Sequence, residues 1–316
     1  MDTKKIIAVV GATGAQGGGL VRAILSDPDQ EYGVRAITRD VNSDKAKELA
    51  KMGAEVVAAD LDDMDSIKRA FHGAYGAFCV TFFWDHFSPE KENNQAKAMA
   101  EAAKSEDVKH VIWSTLDDTR KLVPLDDDRM PTLQGKYKVP HFDAKGESNH
   151  YFTDLDLPVT LLNTVFYWDN FIYFGLGPKK GPDGKLAITM PMGDQKLPGI
   201  AAADIGKCAL GIYKSGPKYI GQTIGICGEQ LNIKQTADAF SKVLGKEVVY
   251  NEVAPEVYRS FDFPGADDMG NMFQFKRDFE SEYCASRDVA LSRALNPSLL
   301  SFKEWLDQNK DLIPVE

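Results

Sequence analysis

The sequence contains little cysteine, no long apolar run and no excess of basic charge. Four of its 316 residues are cysteine, and no two of them form a CxxC pair, which argues against a compact zinc site and a disulfide framework. We therefore predict no metal site and expect buried free thiols in a reducing compartment. No stretch approaches the about 18–20 apolar residues of a membrane span, so we predict no membrane contact.

The amino terminus lacks the apolar segment and cleavage site of a secretory signal. Residues 1–5 lead directly into the apolar run at 6–10, as expected for the first strand of a cytoplasmic protein. The chain carries 37 Lys and Arg against 47 Asp and Glu, a formal net charge of −10. Because an acidic surface repels polyanions, we predict no direct contact with nucleic acid.

Short apolar runs alternate with helical patterns through the first half of the chain. This alternation predicts βαβ units, in which parallel strands form one sheet with helices on both faces. The predicted fold is therefore α/β, a Rossmann doubly wound parallel sheet followed by a smaller, interleaved α/β carboxy-terminal lobe. We place the nucleotide-binding domain at residues 1–163 and the smaller lobe at 164–316. The predicted strands of the first domain are 6–10, 32–38, 55–59, 75–81, 110–114 and 158–162.

Two further segments have a distinct pattern. Residues 116–140 are polar and too long for an ordinary connection, which predicts a functional loop or a lid. Residues 142–152 predict one helix directly after it, and residues 255–316 predict a mostly helical tail.

A glycine-rich turn joins the first strand to the first helix, with glycines at Gly11, Gly14 and Gly17. In such a turn the first glycine permits the tight bend, the second lets the backbone approach a pyrophosphate, and the third lets the helix pack closely. The helix amino terminus then offers N–H donors to the anion. We predict a dinucleotide site here, and its spacing matches extended and atypical short-chain dehydrogenases. The predicted contacts are Gly11, Ala12, Thr13, Gly14, Ala15, Gln16 and Gly17.

The end of the second strand distinguishes NAD from NADP. Thr38 is uncharged where NAD-binding chains carry an acid, and Arg39 offers a guanidinium fork suited to a 2′-phosphate. The predicted cofactor is therefore NADP(H), although Asp40 would partly offset Arg39 if it faced the ribose. Asp60 and Leu61, after the third strand, are predicted at the adenine edge.

The nicotinamide end is predicted beside Thr81, Phe82 and Phe83, although these aromatic rings could equally be packing residues. Active short-chain dehydrogenases carry Tyr-x-x-x-Lys, in which the tyrosine donates the proton. Here His141 occupies the tyrosine position, Lys145 is retained, and Ser114 stands at the usual serine position. We predict no catalytic residue; if the chain is an enzyme, Lys145, His141 and Ser114 are the candidates. His141 is either a proton donor or a structural residue.

Several uncommon strings resemble the NmrA-like family, an atypical branch of the short-chain dehydrogenases. They are Gly-Ala-Tyr at 73–75, His-Phe-Asp-Ala-Lys-Gly-Glu at 141–147, Tyr-Trp-Asp-Asn at 167–170, Phe-Pro-Gly-Ala at 263–266 and Asn-Met-Phe at 271–273. Because these strings extend over nearly the whole chain, the resemblance is more specific than the glycine motif alone.

The resemblance implies an NADP(H)-binding redox sensor and regulator of transcription, without dehydrogenase activity. It implies a homodimer, a regulatory protein partner bound through residues 165–200, and a cytoplasmic and also nuclear location. It also adds cofactor contacts at Lys145, Tyr167, Trp168, Asp169 and Asn170. One departure is Asn94, where the family's regulator carries a lysine. The alternative is an NADPH-dependent reductase of the quinone or isoflavone reductase type, which would use Lys145 and an apolar pocket at 165–175.

Overall fold

The computed structural model describes residues 4–181 and 184–315. Its largest unit is a seven-stranded parallel sheet in the order β11-β6-β5-β4-β1-β2-β3. The strands in chain order are β1 Lys5–Val9, β2 Tyr32–Thr38, β3 Glu55–Ala58, β4 Gly76–Cys79, β5 His110–Thr115, β6 Val159–Asn163, β7 Phe166–Tyr167, β8 Lys179–Lys180, β9 Leu186–Met190, β10 Lys196–Ile200, β11 Thr223–Gly225, β12 Glu229–Asn232 and β13 Val248–Glu252. The predicted fold class is confirmed.

Helices cover both faces of this sheet. Further helices of the second half pack on the smaller sheets and on one another. The helices in chain order are α1 Ala15–Ser26, α2 Asp44–Lys51, α3 Met64–Phe71, α4 Pro89–Ser105, α5 Pro140–Glu147, α6 Asn149–Thr153, α7 Asn170–Tyr173, α8 Ala202–Lys214, α9 Ile233–Leu244, α10 Pro255–Arg259, α11 Ala266–Asp278, α12 Glu280–Ala285, α13 Val289–Leu295 and α14 Phe302–Asn309. Side chains alternate along a strand, so Ile7 and Val9 pack with α1, α2 and α8, while Ala8 and Val10 pack with α3, α4 and α6.

Strand β1 pairs with β2 on one side and β4 on the other, so the order of the sheet reverses beside it. In open α/β sheets such a reversal leaves a crevice outside the carboxyl ends of the strands, where ligands bind. The glycine turn follows β1 directly and therefore lies at this crevice.

The second half of the chain returns to the large sheet. Strand β11 pairs with β6, and α8 packs on α1 so closely that a Cβ on Gly206 would lie 2.0 Å from the Leu20 nitrogen. The lobe is thus interleaved with the first domain, while the boundary at 163 stays a prediction. Two three-stranded sheets, β12-β10-β7 and β13-β9-β8, complete the strand pairing of the described residues.

Residues 116–140, predicted as a functional loop or a lid, are anchored along their length and end where α5 begins at Pro140. The Asp143 carboxylate accepts hydrogen bonds from the backbone N–H groups of Thr119, Lys138 and Val139. Asn271 donates from α11 to the carbonyls of Pro131 and Lys138. These contacts tie the segment to α5 and α11. The single helix predicted over 142–152 is divided at the buried Ser148, where α5 ends and α6 begins.

The four cysteines are free in the structure. Among residues 4–181 and 184–315, no helix is long and apolar enough to cross a membrane, and no cluster of His, Cys, Asp and Glu is arranged to hold a metal ion. Residues 1–3, which precede the predicted first strand, lie outside the described residues.

Candidate cofactor-binding cleft

The glycine turn has the geometry that a pyrophosphate requires. Gly11 adopts a φ of +63°, and Gly14 forms the amino-terminal cap of α1 without a side chain that would occupy the turn. A Cβ on Gly17 would lie 2.4 Å from the Gly11 carbonyl oxygen, so only glycine allows this close packing. The first turn of α1 contains no acidic residue, which leaves its N–H groups and helix dipole available to an anion.

A cleft of about 2220 Å³ extends from this turn along the carboxyl ends of the strands. It brings together most of the predicted cofactor contacts, from both halves of the chain. Those that line it are Gly11, Thr13, Gly14, Ala15, Gln16, Gly17, Arg39, Asp60, Leu61, Thr81, Phe82, Phe83, Lys145, Tyr167, Asp169 and Asn170.

Three predicted contacts do not line the cleft. Ala12 is fully buried, and its N–H donates to the Ile37 carbonyl. The Asp40 carboxylate accepts the Asn42 N–H and so closes the local turn rather than facing the cleft. Trp168 is buried against Phe302 and Trp305. Each of these three residues thus contacts another part of the chain where contact with a ligand was predicted.

At the adenosine end, Arg39 forms an ion pair with Asp85 across the cleft, with 3.0 Å between Nη1 and Oδ2. Both side chains are largely exposed and both line the cleft. Asp85 was not predicted as a site residue, because nothing in the local sequence distinguishes it from a surface aspartate. The guanidinium expected to hold a 2′-phosphate therefore already has a carboxylate partner.

At the opposite end, Lys145 is bound to a buried acid. Its Nζ lies 2.7 Å from Glu92 Oε1 and 2.5 Å from Thr81 Oγ1, and Thr81 donates to the same carboxylate. His86 Nε2 lies 3.5 Å from the other carboxylate oxygen. Burial opposes ionisation of Glu92, yet Lys145, His86 and Thr81 together lower the pKa of its carboxyl to about 2. Lys145 is therefore held as one member of a buried ion pair.

Sequence reasoning missed Glu92, although a signal was present. It lies on the face of α4 that also carries the buried Ala96, Met99 and Ala103. A charged residue in such an apolar row is buried only when it is paired, so its position alone indicated a buried cation opposite.

His141 is also held by an acid. Its Nδ1 lies 2.6 Å from Asp268 Oδ1, and its backbone N–H donates to Oδ2 of the same residue. The ring packs beside Trp84, lines the cleft, and its Nε2 has no hydrogen bond to another described residue. With Nδ1–H donated to Asp268, Nε2 is the ring nitrogen left for a ligand. Asp268 was missed because it lies on α11, far along the chain.

Ser114, the third candidate, is buried behind the cleft. Its hydroxyl donates to Gln16 Oε1, and Gln16 Nε2 lies 2.6 Å from the Tyr167 hydroxyl oxygen. Burial raises the pKa of Tyr167 to about 12, so this phenol keeps its proton at neutral pH. These hydrogen bonds connect Gln16 at the start of α1 to Ser114 on β5 and Tyr167 on β7.

These features fit a dinucleotide with its pyrophosphate at the glycine turn, its adenosine at Arg39 and its nicotinamide beside Thr81 and Lys145. Such a cofactor supplies hydride chemistry when bound. Of the chain's own groups at that end, His141 can hold a proton at Nε2, and Lys145 and Thr81 can orient ribose hydroxyls.

The model of the NmrA-like family matches residues 3–306. The chain belongs to the NmrA-like family. The predicted resemblance is thus confirmed at the level of the family.

The relatives of this NmrA-like chain include both oxidoreductases and a regulator. It is 30% identical to the NmrA-like family domain-containing oxidoreductase ptmS of Penicillium ochrochloron, over 96% of this chain and 93% of ptmS. It is also 30% identical to the oxidoreductase FrzB of Cladobotryum sp, over 89% and 86% of the two chains. The solved structure of NmrA, a negative transcriptional regulator, aligns with a TM-score of 0.78 at 25% identity, over 97% and 95%. NmrA has been crystallised with NAD and with NADP.

Proposed function

We propose that this NmrA-like protein binds NADP(H) in the cleft and acts as a regulator that responds to the state of the cofactor. One observation carries the proposal: the segment 81–92 contacts both ends of the cleft. Asp85 pairs with Arg39 at the adenosine end, while Thr81 and Glu92 hold Lys145 at the nicotinamide end. Cofactor binding at either end would therefore change a contact of this one short segment.

At the adenosine end, a 2′-phosphate and the Asp85 carboxylate compete for the same guanidinium. An Arg–phosphate contact is charge-assisted and bidentate, whereas the exposed Arg39–Asp85 pair contributes little free energy. Binding of NADP(H) would release Asp85 and free the turn that carries it.

At the nicotinamide end, oxidised and reduced cofactor differ by one positive charge on the ring. A protein senses this difference only if one conformation prefers one form, because equal affinity shifts no population. A tenfold preference corresponds to about 1.4 kcal/mol, so the two conformations would have to be nearly isoenergetic. His141 replaces the usual tyrosine, which supports a role other than dehydrogenation.

The resemblance to the family's NADPH sensor, HSCARG, supports the finer features of this proposal. They are a homodimer, a regulatory partner bound through residues 165–200, and a cytoplasmic and nuclear location. In that stretch, Tyr173 and Phe174 are 70% and 53% exposed, which suits a protein contact. Residues 182 and 183 of the stretch lie outside the described chain.

The experiment is calorimetric titration of the full chain with NADPH, NADP+ and NADH. We expect NADPH to bind more tightly than NADP+ and NADH. Arg39→Glu should weaken NADPH by about tenfold or more and leave NADH unchanged, since only NADPH carries the 2′-phosphate. Asp85→Asn should strengthen NADPH by about two- to fivefold, because it removes the competing carboxylate.

Arg69→Glu is the matched control, because Arg69 and Arg39 are 70% and 71% exposed and each pairs with an aspartate. It should change no affinity. Equal affinities for NADPH and NADP+ would contradict the sensor, and absence of nucleotide binding would contradict the whole proposal.

The second candidate function is an NADPH-dependent reductase, favoured by the His141–Asp268 pair. With Asp268 holding Nδ1–H, the Nε2 of His141, which lines the cleft, is the ring nitrogen left to supply a proton to a reduced substrate. The names of ptmS and FrzB also support this candidate. NADPH oxidation should be followed by absorbance with quinones, aldehydes and enones. Turnover that disappears in both His141→Phe and Lys145→Ala would favour the reductase over the non-enzymatic regulator.

A further inference from the structure

Lys276 is a buried lysine that the cofactor site does not use. It lies on α11, is 2% exposed, and lines the cleft together with Phe142, Phe166 and Met272. We call these four residues the inner wall. Phe273 connects its members, because its ring lies 6.4 Å from the Phe166 ring and 5.9 Å from Lys276 Nζ.

The ammonium of Lys276 has aromatic neighbours, and no carboxylate among the described residues is bound to it. Its Nζ lies 5.3 Å from the ring centre of Phe142 and 5.5 Å from that of Tyr283. No hydrogen bond or ion pair joins it to any other residue within 4–181 or 184–315. Cation–π contacts replace only part of the hydration that a buried ammonium loses. The residue nevertheless lines the cleft, so a ligand in the cleft would lie beside it.

The charged groups around Lys276 do not neutralise it. Arg287 adds a second cation, and the one nearby carboxylate, Asp117, is bound by that guanidinium. Asp117 also accepts a hydrogen bond from Asn163. Burial and the charge of Arg287 lower the pKa of Lys276 to about 7, although Asp117 opposes the shift. One positive charge on this wall thus lacks a counter-ion.

We propose that the inner wall binds the carboxylate of an aromatic or otherwise apolar monocarboxylic acid, with Lys276 as its counter-ion. The rings of Phe142 and Phe166 and the Met272 side chain would cover the apolar body of the ligand. A single cation without further donors matches a monoanion rather than a phosphate, which proteins bind with several N–H groups or with arginine. The site would be filled by a substrate or by an effector of the same chemical class.

Calorimetry without nucleotide tests this site independently of the proposed function. The probe is trans-cinnamate, a flat ring with one carboxylate, and its neutral counterpart is cinnamamide. We expect cinnamate to bind about 10- to 100-fold more tightly than cinnamamide, the range for a hydrogen bond to a charged group. Binding at pH 7 should take up a proton, because the anion favours the ammonium form. Titrations in two buffers of different ionisation enthalpy measure this uptake.

Three variants separate the outcomes. Lys276→Met should lose the preference for cinnamate over cinnamamide and the proton uptake, while Lys276→Arg should keep the preference without the uptake. Lys242→Met removes an exposed lysine from α9 and should change neither. The proposal is overturned if cinnamate shows no saturable binding, if it binds no better than cinnamamide, or if Lys276→Met binds it as tightly as the original chain. NADPH titration of the same samples shows separately whether the cofactor site is intact.

Discussion

Lys145 and Lys276 are two buried lysines beside one cleft, and their surroundings differ in a single respect. Lys145 has Glu92 at 2.7 Å and Thr81 at 2.5 Å. Lys276 has three aromatic rings around it and forms no ion pair with any described residue. The first lysine is therefore held in a buried ion pair with Glu92, whereas the second has no ion-pair partner among the described residues. Burial alone therefore does not determine the role of these two lysines. What separates them is whether a carboxylate is bound to the ammonium.

The largest expected effect comes from breaking the buried Glu92–Lys145 ion pair. Glu92→Gln leaves the Lys145 ammonium buried without its carboxylate, so we expect a loss of about 3–5 kcal/mol in the free energy of unfolding. Urea denaturation followed by circular dichroism measures it. Glu90→Gln, an exposed change on the same helix, is the control and should remain within about 0.5 kcal/mol. The double variant Glu92→Leu/Lys145→Met should recover most of the loss, because it removes both charges. An equal loss in the double variant would show that packing, not charge, is responsible.

Replacing Lys276, which has no ion pair with any described residue, should instead raise the free energy of unfolding. Lys276→Met replaces a buried charge with an apolar side chain of similar length, so we expect a gain of about 1–4 kcal/mol at pH 7. The pKa of Lys276 is about 7 in the folded chain and 10.5 in the unfolded one, so between these values the unfolded state binds more protons. Stability of the original chain should therefore rise with pH across this window, and this rise should be absent in Lys276→Met. If Lys276→Met is less stable than the original chain at pH 7, the buried charge of Lys276 does not destabilise the fold as expected.

The smallest effect is expected in acid. The pKa of Glu92 is lowered from 4.5 to about 2, so its contribution is complete above pH 4.5 and is lost as the pH falls toward 2. Glu92→Gln should show a shallower loss of stability than the original chain in this window. Denaturation midpoints at pH 5, 4 and 3 measure the difference, and parallel curves for the two chains would mean that Glu92 does not ionise as described.

Local patterns predicted much of the fold. The apolar run before Gly11 and the glycine spacing placed β1, the turn and α1, and the mostly helical tail predicted over 255–316 contains α10 to α14. The segment 116–140 was predicted as a functional loop or a lid, and its contacts with Asn271 and Gln274 on α11 were not predicted, because those residues lie far along the chain. A polar composition indicates a loop, but it does not reveal what the loop's carbonyls bind.

The candidate site was predicted only in part for the same reason. Gly17 and Arg39 belong to short motifs, so their chemistry follows from spacing. Asp85, Asp268 and Lys276 belong to no such motif, and their partners come from distant segments. Glu92 is intermediate, since its place in an apolar row indicated burial but not its partner.

The amino-acid sequence by itself determined a parallel α/β sheet with a dinucleotide turn and a histidine in place of the catalytic tyrosine, because periodicity and glycine spacing act over a few residues. Only the tertiary structure decided which charges meet: Arg39 with Asp85, Lys145 with Glu92 and His141 with Asp268, whereas Lys276 forms no ion pair with any residue that the structure describes. Electrostatic free energy depends on distance and burial in space, and neither is encoded in the separation of residues along the chain.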